Sequence, residues 1–235
     1  MIVVDAGSQL RMVTQCDHAH LAAEILALVP ALAGEPLRRT LLRATRRHDD
    51  GWQGVDAAPP VDEHGRPHDF LTLPWNLRTE VWDRGTALPD LEPAAALLIA
   101  EHAVALHRDH GSSSGSGHDL VELVTARRDA LRERLGHESA QVSRLYPWLQ
   151  AMDLLSLIVV NRWNGRTHVL ETPWLGRAEL DSGILRLDPC PMAGATTLHY
   201  PERLVAHRPY RDSLDLGTEL ALSRWTSDSV TIRSW

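Results

Sequence analysis

The sequence predicts a mainly α fold, in which a helical bundle follows an N-terminal β-hairpin and precedes a small C-terminal antiparallel β-region. The first observation is that apolar residues recur at helical spacing through most of residues 17–164. The second is that both ends of the chain alternate short apolar runs with turn residues, which is typical of strands. We therefore interpret the 235 residues as one domain, with a hairpin (1–16), a helical core (17–164) and a β-rich extension (165–235).

The N-terminal hairpin and the first two helices have clear start and stop signals. Residues 2–15 carry two apolar runs around a turn rich in Asp, Gly and Ser. Asp17 is placed to cap the first helix, whose apolar stripe contains Leu21 and Ile25. Pro36 suits the first turn of a second helix, which we expect to end before Gly51.

The segment 53–90 contains five prolines and is predicted to be irregular. A long loop within a compact domain is often functional, so it can cover a pocket, although a surface wrap anchored by its tryptophans explains it equally well. Three helices and one flexible linker, "HGSSSGSGH", are predicted after it, with helices at 93–107, 119–135 and 139–161 and the linker at 110–118. "GSSSG" in this linker fits the pattern of a nucleophile elbow but lacks the strand that must precede one.

The last quarter of the chain has the pattern of a small antiparallel sheet, which the N-terminal hairpin can join. Five short segments are separated by Pro, Gly and Asp, as expected for strands. These segments are "GILRL", "TTLHY", "RLVAH", "ELALSRW" and "SVTIRSW".

Composition excludes several classes of protein. The net charge is -7 and there is no long basic run, so nucleic-acid binding is not expected. Cys16 and Cys190 form no CxxC pair, which argues against a zinc ribbon or a redox motif. The longest apolar run, "LLSLIVV", is shorter than the roughly 20 residues that span a bilayer. We expect a soluble cytoplasmic protein with a small-molecule substrate and no membrane partner, while its oligomeric state stays open.

Four predicted helices each point a metal-binding side chain toward the core. On the first helix, His18 continues the apolar stripe, whereas His20 lies two residues on and faces outward. On the second helix, His48 continues the inward line and Asp49 lies on the line beside it. The inward polar residues of the third and fifth helices are His102 and Asp153.

A divalent metal site accounts for this coincidence. The Asp153 carboxylate lies among Leu and Val, which is costly unless it is paired, hydrogen-bonded or bound to a cation. Taken singly, an inward His is more often a hydrogen-bonded core residue, and Asp153 can pair with an arginine. Together, His18, His48, Asp49 and Asp153 favour one or two ions of Fe, Mn, Co, Ni or Mg, with His102 as a further ligand.

The order of His18, the His48–Asp49 pair and Asp153 resembles the HD-domain superfamily. More narrowly, "TQCDHAHLA", "HDDGW", "GRPHDFL" and "AMDLLSL" resemble an uncharacterised bacterial branch, domain-of-unknown-function family 3891. The motifs extend over residues 14–157, and the C-terminal strands are compatible with the family. The resemblance implies an HD-type helical core with one or two metal ions.

Three functions are consistent with this resemblance. The first is a phosphohydrolase of a small phosphorylated metabolite or a nucleotide, with Asp49 and His102 as catalytic residues and a metal-activated water. The second is a di-iron oxygenase, which needs one more His ligand that the sequence does not make evident. The third is a non-catalytic module that binds a ligand. Candidate substrate contacts are Arg47, Trp52 and Asp69, with a solvated helix face as the alternative for Arg47.

Overall fold

A seven-stranded sheet built from both ends of the chain is the main difference from the predicted fold. The computed structural model describes residues 1–108 and 115–235; it is about 49% helical, with a curled mixed sheet. The predicted mainly α HD-type bundle with a small β-region is therefore wrong. The sheet is larger than predicted because residues 167–181 add two strands that were not expected, while the N-terminal hairpin does join it through one strand almost 200 residues later.

The sheet has the strand order β1-β2-β6-β7-β5-β4-β3. Of the described pairs, β5 and β7 run parallel and the others antiparallel, so the predicted wholly antiparallel region is also wrong. The strands are β1 (Ile2–Asp5), β2 (Gln9–Val13), β3 (Thr167–Thr172), β4 (Leu175–Asp181), β5 (Ile184–Asp188), β6 (Thr196–Ala206) and β7 (Trp225–Ser234).

The predicted hairpin is confirmed, while the C-terminal segments pair differently from the prediction. "TTLHY" and "RLVAH" form the single strand β6, which continues through Pro201. β3 and β4 were not predicted. Most of "ELALSRW" is helical rather than extended, because Asp212 caps a helix whose Leu216 and Leu220 are buried at helical spacing.

The described residues form nine α-helices and two short 3-10 turns. The turns are Pro30–Leu32 and Asp50–Trp52. The helices are α1 (Gln15–Ala27), α2 (Arg38–Arg47), α3 (Gln53–Ala57), α4 (Trp75–Gly85), α5 (Pro93–His107), α6 (Gly115–Leu135), α7 (Glu138–Ser143), α8 (Tyr146–Val160) and α9 (Ser213–Leu222).

Local signals explain where the helices depart from the predicted bounds. Thr14, rather than Asp17, caps α1, and its hydroxyl accepts the backbone N–H of Asp17. The predicted fifth helix is divided into α7 and α8, and Pro147 lies in the first turn of α8. The segment 53–90 includes α3 and α4, because Trp82 is buried against α5 and α6. Residues 109–114, and so much of the predicted linker, lie outside the described part of the chain.

The main core joins the helices to the sheet and places the candidate site. Helix α1 packs against α2, α8 and β6, and α5 packs against α2 and α8. Fully buried residues of one cluster come from both layers, including Ile25, Leu98, Leu155, Leu185 and Ile232. The four helices that carry the predicted ligands are therefore neighbours. Among the described helices, none combines the length and apolarity needed to cross a membrane.

The turn after the His48–Asp49 pair packs tightly against α4. A Cβ atom on Gly51 would lie 2.1 Å from the carbonyl oxygen of Val81 and 2.8 Å from the backbone nitrogen of Gly85. Only glycine permits this approach, which brings α4 and the segment before it next to the pair.

Candidate metal centre

Five side chains carried by α1, the end of α2, α5 and α8 meet in the core. The candidate ligands are His18, His48, Asp49, His102 and Asp153, each exposed by 6% or less. They form two groups that share His48, and the possible ligand atoms within each group lie within 4.8 Å of one another. The first group contains His18 and Asp49, and the second contains His102 and Asp153. Buried clusters of this composition can hold a metal ion.

Hydrogen bonds fix which nitrogen of two imidazoles faces the centre. The Ser156 hydroxyl donates to the carbonyl oxygen of Asp153 at 2.8 Å, so its oxygen accepts from Nδ1–H of His18 at 2.9 Å. In the same way, Nδ1–H of His48 donates to the carbonyl oxygen of Thr45 at 2.7 Å. The Nε2 atoms of both histidines are therefore the ones available to the centre, as in metal sites whose outer hydrogen bonds set the tautomer.

These Nε2 atoms face carboxylate oxygens. Nε2 of His18 lies 2.8 Å from Oδ2 of Asp49, and Nε2 of His48 lies 3.2 Å from Oδ1 of Asp153. In a neutral imidazole with Nδ1 protonated, Nε2 is an acceptor, so each contact would join two acceptors. Each contact therefore needs a proton or a cation between its two atoms. The His18–Asp49 and His48–Asp153 pairs therefore fit a cation, and a proton satisfies the same contacts.

The charges of the centre also suit a cation. Burial opposes the charged form of His48, but the charges of Asp49 and Asp153 outweigh it and raise the pKa of His48 to about 9. Burial also opposes ionisation of the two carboxyl groups, yet the neighbouring histidines hold the pKa of Asp49 and of Asp153 below its usual range. The carboxylates thus stay ionised; the proton on His48 balances part of their charge, and a divalent ion would replace that proton.

His102 completes the second group as a neutral imidazole. Its Nε2 lies 3.5 Å from Oδ2 of Asp153, and its ring lies 5.1 Å from that of His48. Burial lowers the pKa of His102 to about 4. The Tyr146 hydroxyl is 3.4 Å from its Nδ1. His102 therefore offers a lone pair without adding positive charge.

A cavity of about 200 Å³ opens beside the cluster. The segment 53–90 supplies part of its wall, which supports the interpretation of that segment as a pocket cover. The lining residues are Gln15, His18, Asp49, Trp52, Phe70, Leu71, Arg78, Trp82, His102, Leu106, His107, Asp153 and Leu157. Candidate ligands thus adjoin a space for a small molecule.

Only one of the three predicted substrate contacts lines this cavity, namely Trp52. Arg47 forms ion pairs with Asp50 and Asp90, each at 2.6 Å, and does not line the cavity. Asp69 accepts the backbone N–H groups of the turn that follows it and is not part of the cavity wall. The structure therefore does not bring Arg47 or Asp69 to the site.

Three polar residues of the cavity were not predicted as site residues: Gln15, Arg78 and His107. His107 is buried, and its Nδ1 donates to the carbonyl oxygen of Ala103 at 2.8 Å. A signal for it existed, because it continues the inward line of Ala103 and Val104 on α5. Gln15 had a similar signal, since it precedes His18 by three residues on one helical face.

A larger cavity, of about 490 Å³, lies elsewhere and lacks the five candidate ligands. Its wall includes Cys16, whose pKa is raised by burial and by nearby carboxylates, so the thiol is unreactive. Asp56, also in this wall, is held by the amino group of Met1 and the backbone N–H of Gln15. Of these two cavities, only the smaller one is lined by candidate metal ligands.

Comparison with known proteins identifies a family but no activity. The model of a family described as a protein of unknown function (DUF3891) matches residues 1–207. The matched residues include all five candidate ligands and the whole cavity wall, and they end before α9 and β7. No curated protein and no solved structure matches the chain.

Proposed function

The chain belongs to the DUF3891 family, and we propose that it is a metal-dependent hydrolase of small phosphate esters with an HD-type metal site. The observation that carries this proposal is the pair of locked imidazoles, on His18 and His48, whose Nε2 atoms face carboxylate oxygens. The relation to the HD superfamily is supported by the order of His18, the His48–Asp49 pair and Asp153 along the chain.

The five clustered residues would hold one or two divalent ions. His18, His48 and Asp49 offer one set of donors, and His48, His102 and Asp153 offer the other. Iron, manganese, cobalt, nickel and magnesium all accept imidazole or carboxylate donors. A bound divalent ion supplies a water of lowered pKa and polarises a phosphoryl oxygen.

In the proposed reaction, the oxygen of water forms a bond to phosphorus while the bond from phosphorus to the ester oxygen breaks. The water loses a proton and the departing alcohol gains one. If only the first donor set holds an ion, Nε2 of His102, which lines the cavity, is available to carry the proton from the water to the departing oxygen. Asp49 stays ionised and lines the same wall, where its Oδ2 and Nε2 of His18 would hold the same cation.

A di-iron oxygenase is the second candidate, because two donor groups lie side by side; Nε2 of His48, which belongs to both, would serve one ion only. Such an enzyme needs one histidine beyond His102. His107 is buried in the same cavity wall, outside the two donor groups, and we propose it as the candidate for this role. His107→Ala separates the candidates, because it should remove iron only if two ions are held.

The test begins with the metal content of freshly purified protein. We expect stoichiometric metal and hydrolysis of p-nitrophenyl phosphate without oxygen, in the presence of manganese, cobalt or magnesium. Asp153→Asn should abolish both. Iron with a spectrum that changes on exposure to oxygen, and no hydrolysis, would instead support the oxygenase. Metal binding with no turnover across a broad substrate screen would indicate a ligand-binding module.

A further inference from the structure

Three polar atoms of the cavity residues are buried without a hydrogen-bond partner. Among the described residues, they are Oε1 of Gln15, Nε1 of Trp52 and Nε of Arg78. A buried polar atom that lacks a partner costs about 1–3 kcal/mol, so native proteins rarely leave several together. All three residues line the cavity beside the candidate ligands, so a molecule bound there can supply the missing partners.

Gln15 and Trp52 are attached directly to the elements that carry the ligands. Gln15 lies three residues before His18 in α1, and Asp56 accepts its backbone N–H at 2.7 Å. The backbone N–H of Trp52 donates to the carbonyl oxygen of Asp49 at 3.0 Å. An acceptor and a donor are therefore held in fixed positions beside the cluster, as recognition of a substrate requires.

Arg78 adds a cation that has no ion pair. One of its terminal nitrogens donates to the carbonyl oxygens of Phe70 and Leu71, each at 3.0 Å. Its Cζ lies 4.9 Å from the centre of the Trp75 ring, and no ion pair within 4.0 Å involves it among the described residues. Burial lowers the pKa of Arg78, and the charge of Asp69 opposes this shift. A partly buried guanidinium without a counter-ion favours an anion in the neighbouring space.

We propose that Gln15, Trp52 and Arg78 recognise the substrate, and that it is a compact anion with a hydroxyl or amino group. Arg78 and Trp52 donate to its oxygens, and Oε1 of Gln15 accepts its O–H or N–H. The cavity volume, about 200 Å³, is below the range of roughly 300–1,000 Å³ that drug-sized ligands and cofactors occupy. The small volume therefore favours a small hydroxylated phosphate ester over a nucleotide as the substrate, and this choice rests on the proposed hydrolase function.

The experiment measures binding and hydrolysis of glycerol phosphate by the full-length, metal-loaded protein. Calorimetry gives Kd, a phosphate-release assay gives KM, and adenosine monophosphate is the large comparison ligand. Gln15→Leu and Trp52→Phe each remove one of the buried polar atoms while keeping an apolar side chain of similar shape. We expect each to weaken binding and to raise KM about tenfold, with unchanged metal content.

Two matched controls make the same chemical changes away from the cavity. Gln150→Leu alters an exposed position of α8, and Trp163→Phe alters a ring stacked on His168. Both should bind glycerol phosphate like the unaltered protein. Melting curves and metal content identify a variant that fails to fold, in which case the other variant decides the result.

The outcomes separate this inference from the proposed hydrolysis. Binding that weakens in Gln15→Leu and Trp52→Phe without any hydrolysis would refute the hydrolase and support the recognition residues. Hydrolysis with an unchanged KM in both variants would overturn the recognition residues and leave the hydrolase in place, with water as the partner of these atoms. Failure of the unaltered protein to bind glycerol phosphate, or tighter binding of adenosine monophosphate, would overturn the assigned substrate class.

Discussion

Replacement of Ser156 by alanine tests how the centre is organised without touching a ligand. Its hydroxyl is the acceptor for Nδ1–H of His18, at 2.9 Å, and neither side chain is exposed. In Ser156→Ala the imidazole loses the bond that directs Nε2 toward Asp49. The variant thus leaves every proposed donor in place and alters only the orientation and tautomer of one of them.

The expected loss follows from two contributions. A buried N–H group without an acceptor costs about 1–3 kcal/mol of folding free energy. Loss of an outer-shell partner typically lowers metal affinity by about 10- to 100-fold. We therefore expect Ser156→Ala to lower both the free energy of unfolding and the affinity for manganese or cobalt by these amounts. Chelator competition measures the affinity, and denaturant unfolding of the metal-free protein measures the stability.

The control is Ser139→Ala, because that hydroxyl donates to the carbonyl oxygen of Gly136 far from the cluster. Its metal affinity should equal that of the unaltered protein. If Ser156→Ala bound metal equally well, the inference that hydrogen bonds to Nδ1 hold Nε2 of His18 toward a metal would be refuted.

Three further substitutions have clear expected outcomes. Asp153→Asn should lower metal affinity more than about 100-fold, because it removes a donor itself, and metal retained through purification would contradict this. His18→Ala should strip the metal while His20→Ala, at a half-buried position outside the cluster, should retain it; equal losses would show that the cluster is misassigned. Gly51→Ala should lower the free energy of unfolding by about 1–3 kcal/mol through overpacking, whereas Gly34→Ala, with open space at its Cβ position, should not. Midpoints of urea unfolding that were equal for these two variants would contradict the packing argument.

Helical spacing was enough to predict the candidate ligands. Apolar neighbours at three- and four-residue intervals distinguish His18 from His20 and turn Asp153 inward, and the structure brings the predicted ligands together. The same rule missed His107, although it continues an inward line, because it lies at the last residue of α5 beside the predicted linker. The role of Ser156 could not be predicted, because it depends on which helix faces its hydroxyl.

The sheet was predicted less well than the candidate ligands, because the alternation of apolar residues within a strand does not show which strand it pairs with. Strands β5 and β7 have recognisable alternation, but nothing within either strand indicates that they pair in parallel. The helix α9 shows the opposite error, since its sequence alternates like a strand until Asp212 and the burial of Leu216 are taken into account. Strand pairing determines how β5 and β7 are arranged, and helix capping determines that α9 is a helix. Alternation of apolar residues predicts neither.

The strand order has a consequence for the order of events in biosynthesis. All five candidate ligands lie between residues 18 and 153, so they leave the ribosome before β6, the partner of β2. Strand β7, which lies between β6 and β5, is made last. Contacts so distant in sequence form slowly compared with helix pairing. The nascent chain therefore has its full set of metal donors while the hairpin that leads into α1 still has an open edge, and an ion bound at that stage would hold α1 in place until the sheet closes.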